Sequence, residues 1–567
     1  MKLSLSTDFG APHHWRRLVD FAREHGVGRL VFWGDYSSAG FAPPWLFPQY
    51  PDLLTDEERA RRERVRERMA GAAAMCREAG IEFWYCYQVL MLSSRFRDAV
   101  PGMFNEYGEP DMAGDAVYEL LRAQVGELLE LAPGLAGIEL WVMECAQVVI
   151  SRLAHQSISL REICRRVVDT VHGECRRAGL EMSVDLHTAG GHRPMLDGLL
   201  GAARNHPDIM VSGDNVIGDF HVHLPFNSHL ERAAEHNRAL VHFDLSGEYW
   251  GRSFLPTCAL GQYRRHLDAA RAVGAVCVDG RISTGHDASS PHVGLLPSRR
   301  RLYPAAGRIR PAEPLPRDIE VCCFDTLWGF NAECFCRYVK DSGADALEAV
   351  QGFVRREFGE GAEGLALVLA DVERVAARVH YSDSNYFGPQ SLLPARWHAD
   401  FWAMDVHMTT PAGEPFPPAD GLGEAGLFGG GRAQFAGWPV PVGHRAAGPQ
   451  AIIAEKRSAL ADAEDLLARA GDAAAGLEPE HRAFILRPFE DFVLFARAAA
   501  ALTEAMVHYF HIRLDRESGD IPDRKRLREL VSEMKKVAGQ WAERQPHDEW
   551  KVRERLGEWC EEMTSRA

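Results

Sequence analysis

The first half of the chain alternates between short apolar runs and longer segments with helical periodicity. The apolar runs are rich in Val, Ile, Leu and aromatic residues and predict strands at KLSLST (2–7), RLVFWG (29–34), IEFWYCY (81–87), IELWVM (138–143), LEMSVDL (180–186), IMVSG (209–213), LVHFDL (240–245) and AVCVDG (275–280). Because the runs are almost continuously apolar, both faces of the sheet should be covered. Strands that alternate with helices predict a parallel α/β sheet, and eight of them favour a closed (β/α)8 TIM barrel.

The segments between the strands carry helix signals. HHWRRLVDFAREHG (13–26) and ISLREICRRVVDTVHGECRRAG (158–179) each end on a glycine suited to a helix C-terminus. From residue 328 onward the pattern becomes predominantly helical. We therefore predict a catalytic barrel over residues 1–327 and a C-terminal α-helical domain over 328–567. A Pro- and Gly-rich segment, 411–450, is predicted to be a loop that reaches over the barrel mouth.

Composition narrows the class of protein. Hydrophobic residues make up 46% of the chain and charged residues 25%, as in ordinary globular proteins. The formal net charge of −16 argues against nucleic acid and anionic membranes as partners, since phosphate binding depends on clustered Lys and Arg. The N-terminal segment lacks the apolar stretch of a secretory signal, and the twelve cysteines form no zinc-type spacing. We therefore expect a cytoplasmic protein with reduced cysteines.

Three carboxylates each follow a predicted strand: Glu144, Asp219 and Glu248. In a parallel barrel, residues at the C-terminal ends of the strands form the active site. Glu is a poor helix N-cap, and Glu144 and Glu248 both follow apolar runs where a charge must be paired or desolvated. Glycosidic bond cleavage requires two carboxyl groups on opposite sides of the bond. The pattern therefore predicts a glycoside hydrolase that removes a terminal sugar by two-carboxylate acid/base catalysis.

Further polar and aromatic residues at the strand ends would bind the hydroxyls and the apolar faces of a sugar. These predicted substrate-binding residues are Asp8, Trp33, Asp35, Tyr87, Asp185, His187, Asp214, His221, His223, Tyr249, Trp250 and Arg281. An Asp at a strand end is equally consistent with the N-cap of the next helix. This alternative applies to Asp8, Asp35, Asp185 and Asp279.

Several of these segments resemble glycoside hydrolase family 67, the α-glucuronidases. DFHVHLP (219–225) is similar to that family's DFQVREP, and GEYWG (247–251) is similar to its QEYLG. IELWVMECAQ (138–147) occupies the place of the strand that ends in the family's general acid. LWGFNAECFCRYVKD (327–341) and the following VRREFG (354–359) resemble its entry into the helical domain. The resemblance covers roughly residues 130 to 370.

The resemblance implies an inverting glycosidase in which Glu144 is the acid, while Asp219 and Glu248 orient and deprotonate the attacking water. A retaining mechanism with Glu248 as the nucleophile stays open, although Met143 stands where that class has an Asn. The family's N-terminal β-domain has no counterpart, since this chain enters the barrel at once. The Arg of the DFQVREP segment is His223 here, and the cations that grip the uronate carboxylate are missing. A neutral sugar is therefore expected in preference to glucuronic acid.

Two other functions are consistent with the residues. A metal-dependent TIM-barrel isomerase or hydrolase acting on a sugar would use HVH (221–223) with Asp185 and His187 to ligate one divalent ion. A catalytically silent relative would only bind carbohydrate. For the glycosidase we expect no cofactor and no metal, a small-molecule saccharide as substrate, and the C-terminal helices as the surface of a homodimer.

Overall fold

The computed structural model describes most of the chain. The described residues are 1–7, 12–33, 43–90, 95–142, 153, 155–186, 193–216, 220, 226–251, 255–282, 295–302, 321–382, 385–386, 393, 448–514, 521–545 and 551–565. Seven of the predicted site residues lie outside these ranges, namely Asp8, Asp35, Glu144, His187, Asp219, His221 and His223. The segment predicted to cover the barrel mouth, 411–450, lies largely outside them as well.

Eight parallel strands close into a barrel in sequence order, which confirms the predicted fold class. They are β1 (Lys2–Thr7), β2 (Arg29–Phe32), β3 (Glu82–Gln88), β4 (Gly137–Trp141), β5 (Glu181–Asp185), β6 (Met210–Asp214), β7 (Arg238–Asp244) and β8 (Cys277–Arg281). The barrel closes where β8 pairs with β1, with Lys2 opposite Cys277 and Ser6 opposite Arg281. All eight C-terminal strand ends therefore face the same mouth.

The helices that connect these strands surround the barrel. They are α1 (Pro12–His25), α2 (Asp56–Ala79), α3 (Phe96–Ala99), α4 (Ala116–Leu131), α5 (Leu160–Ala178), α6 (Arg193–Ala203), α7 (Ser228–Ala234) and α8 (Leu260–Ala272). Their ends follow from local sequence. Thr55 and Glu58 form a reciprocal capping box at the start of α2. Gly80 and Gly179 end α2 and α5 in the left-handed conformation, with φ of 69° and 73°.

The second part of the chain is helical. It contains α9 (Phe330–Lys340), α10 (Ala346–Phe358), α11 (Glu363–His380), α12 (Gly448–Ala473), α13 (Pro479–Leu514), α14 (Ile521–Arg544) and α15 (Val552–Thr564), with a small hairpin of β9 (Tyr381–Ser382) and β10 (Asn385–Tyr386). Within the described residues, no helix is long and apolar enough to cross a membrane. The boundary at residues 327 and 328 stays a prediction, and it lies between the last barrel strand and α9.

The helices after the barrel share one core of buried apolar side chains with it. Phe335 on α9 packs against Phe243 of β7 and Tyr263 of α8, with ring centroids 5.0 and 5.6 Å apart. The side chain of Asn331 accepts a hydrogen bond from the backbone N–H of Ala259 and donates one to the carbonyl of Thr257. Apolar packing and hydrogen bonds therefore both attach α9 to the last β/α unit.

The described cysteines are all buried, and no disulfide forms among these eleven residues. Burial raises the pKa of the thiols of Cys76, Cys164 and Cys175 to about 12. Thiols with such a pKa are protonated and chemically inert, so they act as small apolar side chains, as the sequence predicts.

Candidate active site at the barrel mouth

Four of the predicted substrate-binding residues lie together at the C-terminal ends of the strands. Asp185 ends β5, Asp214 ends β6 and Arg281 ends β8, while Trp33 directly follows β2. All four side chains are buried. The structure therefore places these four residues in one region of the barrel, and their role in substrate binding stays a prediction.

Arg281 connects opposite walls of this region. Its Nη2 lies 3.6 Å from Oδ1 of Asp214, and its guanidinium carbon lies 3.8 Å from the centre of the Trp33 ring and 4.8 Å from that of Phe220. The ring of Trp33 also meets that of Trp141 edge to face at 4.5 Å. Strands β2, β4, β6 and β8 are not neighbours in the barrel, so these contacts are made across its interior. The arrangement combines aromatic rings with fixed charges, which suits a polyhydroxylated ligand.

Glu248 lies on a tight turn that Asp244, the last residue of β7, holds in place. Oδ1 of Asp244 accepts hydrogen bonds from the backbone N–H of Ser246 and Gly247, both at 2.9 Å, and from the Ser246 hydroxyl at 2.7 Å. Gly247 has a φ of 77°, a left-handed conformation that favours glycine. Burial raises the pKa of Asp244, and these hydrogen bonds oppose that rise. Glu248, the next residue after Gly247, is only 7% exposed.

A buried histidine lies between two carboxylates inside the barrel. Nε2 of His242 on β7 lies 2.8 Å from Oε1 of Glu139 on β4, and its Nδ1 lies 3.2 Å from Oδ2 of Asp279 on β8. Since β5 and β6 separate β4 from β7, the contact with Glu139 crosses the barrel interior. The Ser6 hydroxyl donates a 2.5 Å hydrogen bond to Asp279. We call Glu139, Asp185, His242 and Asp279 the interior cluster.

The charges of the interior cluster depend on one another. Burial alone would lower the pKa of His242, but the charge of Glu139 and the hydrogen bond to Asp279 outweigh it and raise this pKa to about 10. Burial acts to raise the pKa of Asp279, but the hydrogen bond and charge of His242 lower it. Without another cation in the cluster, His242 is therefore an imidazolium and Asp279 a carboxylate at neutral pH.

Three residues of this region, Glu139, His242 and Asp244, were not predicted from the sequence. Glu139 interrupts an apolar run two positions before Trp141, and His242 precedes Asp244 by the same spacing. In a strand this spacing puts both members of a pair on one face. The signal therefore lies within the strands themselves and not at their ends. The N-cap alternative for Asp279 is wrong, since its carboxylate binds Ser6 and His242 in the barrel interior.

The position of Tyr87 corrects the expectation for that residue. Its ring packs on Trp45 at 5.6 Å, and its hydroxyl donates to Oε1 of Gln124 on α4 at 2.5 Å. Alternation along β3 turns Tyr87 outward to the helix layer, so it lies in the packing between strand and helix and not at the barrel mouth. Tyr249 and Trp250 are both buried beside Glu248, and their roles in substrate binding stay predictions.

Comparison with known proteins supports the fold. No family model matches this sequence, and no curated protein matches it. Among solved structures, a GH138 enzyme that targets pectin rhamnogalacturonan II matches 100% of this chain and 66% of its own, with a TM-score of 0.61 and 11% identity. A GH115 4-O-methyl-α-glucuronidase with specificity for decorated arabinogalactans matches 97% of this chain and 59% of its own, with a TM-score of 0.45 and 11% identity.

A third structure, an O-GlcNAc hydrolase from Thermobaculum terrenum, matches 99% of this chain and 93% of its own, with a TM-score of 0.42 and 8% identity. This chain thus spans slightly less than two thirds of the length of the GH138 enzyme. At such low identity the likeness concerns the fold alone, a closed (β/α)8 barrel followed by helices.

Proposed function

We propose that this protein is a glycoside hydrolase that cleaves a terminal sugar from an oligosaccharide or glycoside at the mouth of its barrel. The observation that carries the proposal is Glu248, a nearly buried carboxylate on a turn anchored by Asp244 at the C-terminal end of β7. A glutamate that is nearly buried and follows a turn with a fixed backbone is suited to proton transfer or nucleophilic attack. The similarity in fold to the GH138 enzyme is consistent with this class of reaction.

In the proposed mechanism Glu144 is the general acid, and Glu248 with Asp219 activates the attacking water. Glu144 follows β4 in the sequence and Glu248 follows β7, and the C-terminal ends of these two non-adjacent strands lie at the same mouth of the barrel, which supports the proposal of two carboxyl groups on either side of a bond. Inversion requires carboxyl groups roughly 6.5–9.5 Å apart, which leaves room for water. A separation near 5 Å would assign Glu248 as the nucleophile of a retaining enzyme.

The proposed substrate is a neutral sugar. Arg281 is the one fixed cation among the predicted strand-end residues that the structure describes, and Asp214 lies 3.6 Å from it. A carboxylate on the substrate would have to compete with Asp214 for this guanidinium. A neutral glycone would instead stack on the aromatic rings and accept or donate hydrogen bonds at the charged groups.

The test is hydrolysis of a panel of nitrophenyl glycosides that contains neutral sugars and uronic acids. We expect turnover of a neutral glycoside, and Glu248→Gln should reduce kcat by about 10²–10⁴-fold, the usual range for a lost acid or base. Glu231→Gln on the exposed face of α7 is the matched control and should keep full activity. Cleavage of glucuronides alone would reject the neutral sugar, and unchanged turnover in Glu248→Gln would reject the catalytic role of Glu248.

A further inference from the structure

The interior cluster has the donor set of a metal site. Its potential ligand atoms come from Glu139, Asp185 and His242, and all of them lie within 4.8 Å of one another. Two ligands each about 2.1 Å from a metal ion are at most about 4.2 Å apart, so a pair at the 4.8 Å limit would need to approach by about 0.6 Å to lie on opposite sides of the ion. Small rotations of two carboxylate side chains can supply this movement. The three side chains are fully buried, so this cluster is not one of the exposed groups of acidic residues that commonly occur on protein surfaces without a metal ion.

Asp279 orients the imidazole ring of His242. It lies on the Nδ1 side of His242, so Nε2 is the nitrogen that faces Glu139. Metal-binding histidines commonly donate their second ring nitrogen to a carboxylate, which fixes the ring and makes the ligating nitrogen more basic. The Ser6 hydroxyl in turn holds Asp279 through a 2.5 Å hydrogen bond. The carboxylate that would orient a metal ligand is therefore already in place.

A second observation points to a ligand at the same place. Oε2 of Glu139 is buried and accepts no hydrogen bond within the described part of the chain. Oε1 of the same carboxylate has Nε2 of His242 as its partner, 2.8 Å away. Buried carboxylates are normally satisfied by hydrogen bonds or by a metal ion. Within the described residues, the carboxylates of Glu139, Asp185 and Asp279 thus lie around the one imidazole of His242, a set of ligands that a divalent cation would suit.

We propose that Glu139, Asp185 and His242 bind one divalent cation in the barrel interior, and that Asp279 is a positioning residue for His242. One imidazole nitrogen with carboxylate oxygens suits Zn²⁺ or Mn²⁺. This site differs from the one suggested by the sequence, which would have used the histidines of 221–223. It replaces the expectation that the protein binds no metal. It does not depend on the proposed glycosidase activity, because it is tested by metal binding without substrate.

The experiment measures binding of Mn²⁺ and of Zn²⁺ to the full chain after removal of metal with EDTA. We expect one equivalent per chain by elemental analysis, and a higher Tm in the presence of the bound ion. His242→Gln and Glu139→Gln should each lose this equivalent, and Asp279→Asn should weaken affinity by about 10–100-fold. His266→Gln is the matched control, since His266 is also buried but hydrogen-bonds Asn215 outside the cluster.

Circular dichroism of each variant shows whether it is folded. If His242→Gln does not fold, Asp185→Asn provides the same test at the end of β5, with a side chain of nearly the same size. No bound metal in the wild-type protein would overturn the proposal. Binding of one equivalent that survives Glu139→Gln and Asp185→Asn would also overturn it, because the ion would then lie elsewhere. If a variant loses the metal but keeps its glycoside turnover, the metal site is confirmed and hydrolysis does not require the ion.

Discussion

The guanidinium of Arg281 lies over the indole ring of Trp33, with its central carbon 3.8 Å from the ring centre. Arg281 ends the last strand of the barrel and Trp33 follows the second, so the pair links two walls of the mouth. Phe220 and Asp214 contact the same guanidinium from other sides. A planar cation held in this way is a rigid part of the pocket, unlike an exposed arginine.

Arg281→Lys should therefore lower kcat/KM for the preferred glycoside while the protein stays folded. A lysine keeps the charge but cannot stack as a plane, and the lost cation–π contact corresponds to about 0.5–2 kcal/mol, or roughly 2- to 30-fold. Steady-state kinetics would measure the change, with Arg232→Lys on α7 as a surface control. Equal kcat/KM in both variants would show that Arg281 does not shape the pocket.

Replacing the proposed acid should affect substrates according to their leaving groups. Glu144→Gln removes the proton that an alkoxide leaving group needs, whereas a nitrophenolate leaves without one. We expect nearly complete loss of activity on natural oligosaccharides and a much smaller loss on activated phenyl glycosides. The same loss on both kinds of substrate would remove Glu144 from this role.

The packing position of Tyr87 predicts a loss of stability without a loss of activity. Tyr87→Phe deletes the hydroxyl that donates to Gln124 and leaves a buried amide oxygen without this donor. The free energy of unfolding should fall by about 1–3 kcal/mol, measured by urea denaturation, and KM should stay unchanged. Tyr249→Phe is the comparison variant, because Tyr249 is still a predicted substrate-binding residue and its loss should change KM. A changed KM in Tyr87→Phe would contradict this packing role and indicate that Tyr87 binds substrate.

The buried His14 on α1 predicts a loss of stability in acid. Burial, with smaller contributions from the charges of His13 and Arg17, lowers its pKa from 6.5 to about 3. Between these values the unfolded chain binds a proton that the folded protein does not. This contribution to stability is therefore complete above pH 6.5 and falls by about 1.4 kcal/mol for each pH unit below it, until His14 protonates in the folded state near pH 3.

His14→Asn should make the free energy of unfolding less sensitive to pH between 6.5 and 4 than in the wild-type protein. Denaturation curves at a series of pH values measure the slope. His236→Asn at an exposed position should leave the slope unchanged. Parallel slopes for all three proteins would contradict the neutral buried state of His14.

The sequence predicted the barrel well because its strands are fully covered and therefore read as distinct apolar runs. The positions of Asp185, Asp214 and Arg281 at the ends of strands could be predicted from the same pattern, because each of these residues lies at or just after the end of an apolar run. Contacts across the interior could not be predicted in this way. Glu139 and His242 meet because the closed sheet turns the inner faces of β4 and β7 toward the same interior, and this depends on the pairing register of all the strands between them.

Lys456 should be important for the folding of the helical part of the chain. Its Nζ donates to the carbonyls of Arg378 and Val379, both at 2.8 Å, and of Tyr381, at 2.5 Å, at the C-terminal end of α11. Burial lowers its pKa to about 7. Lys456→Met would leave these carbonyls without this donor, and we expect the free energy of unfolding to fall by several kcal/mol, as is typical when a buried charge or its partner is lost. Unfolding curves that match those of Lys536→Met, a surface control, would contradict this.

The shared core between the barrel and the later helices makes residues 1–327 a poor fragment to express alone. Phe335 and Asn331 complete the packing and hydrogen bonding of β7 and α8, the same unit whose end carries Glu248. A truncated barrel would expose the faces of Phe243 and Tyr263 to solvent, so aggregation is the expected outcome in cell extracts. A chimeric protein that combines this barrel with another helical part would have to keep α9 together with the last β/α unit, because α9 shares the core of that unit.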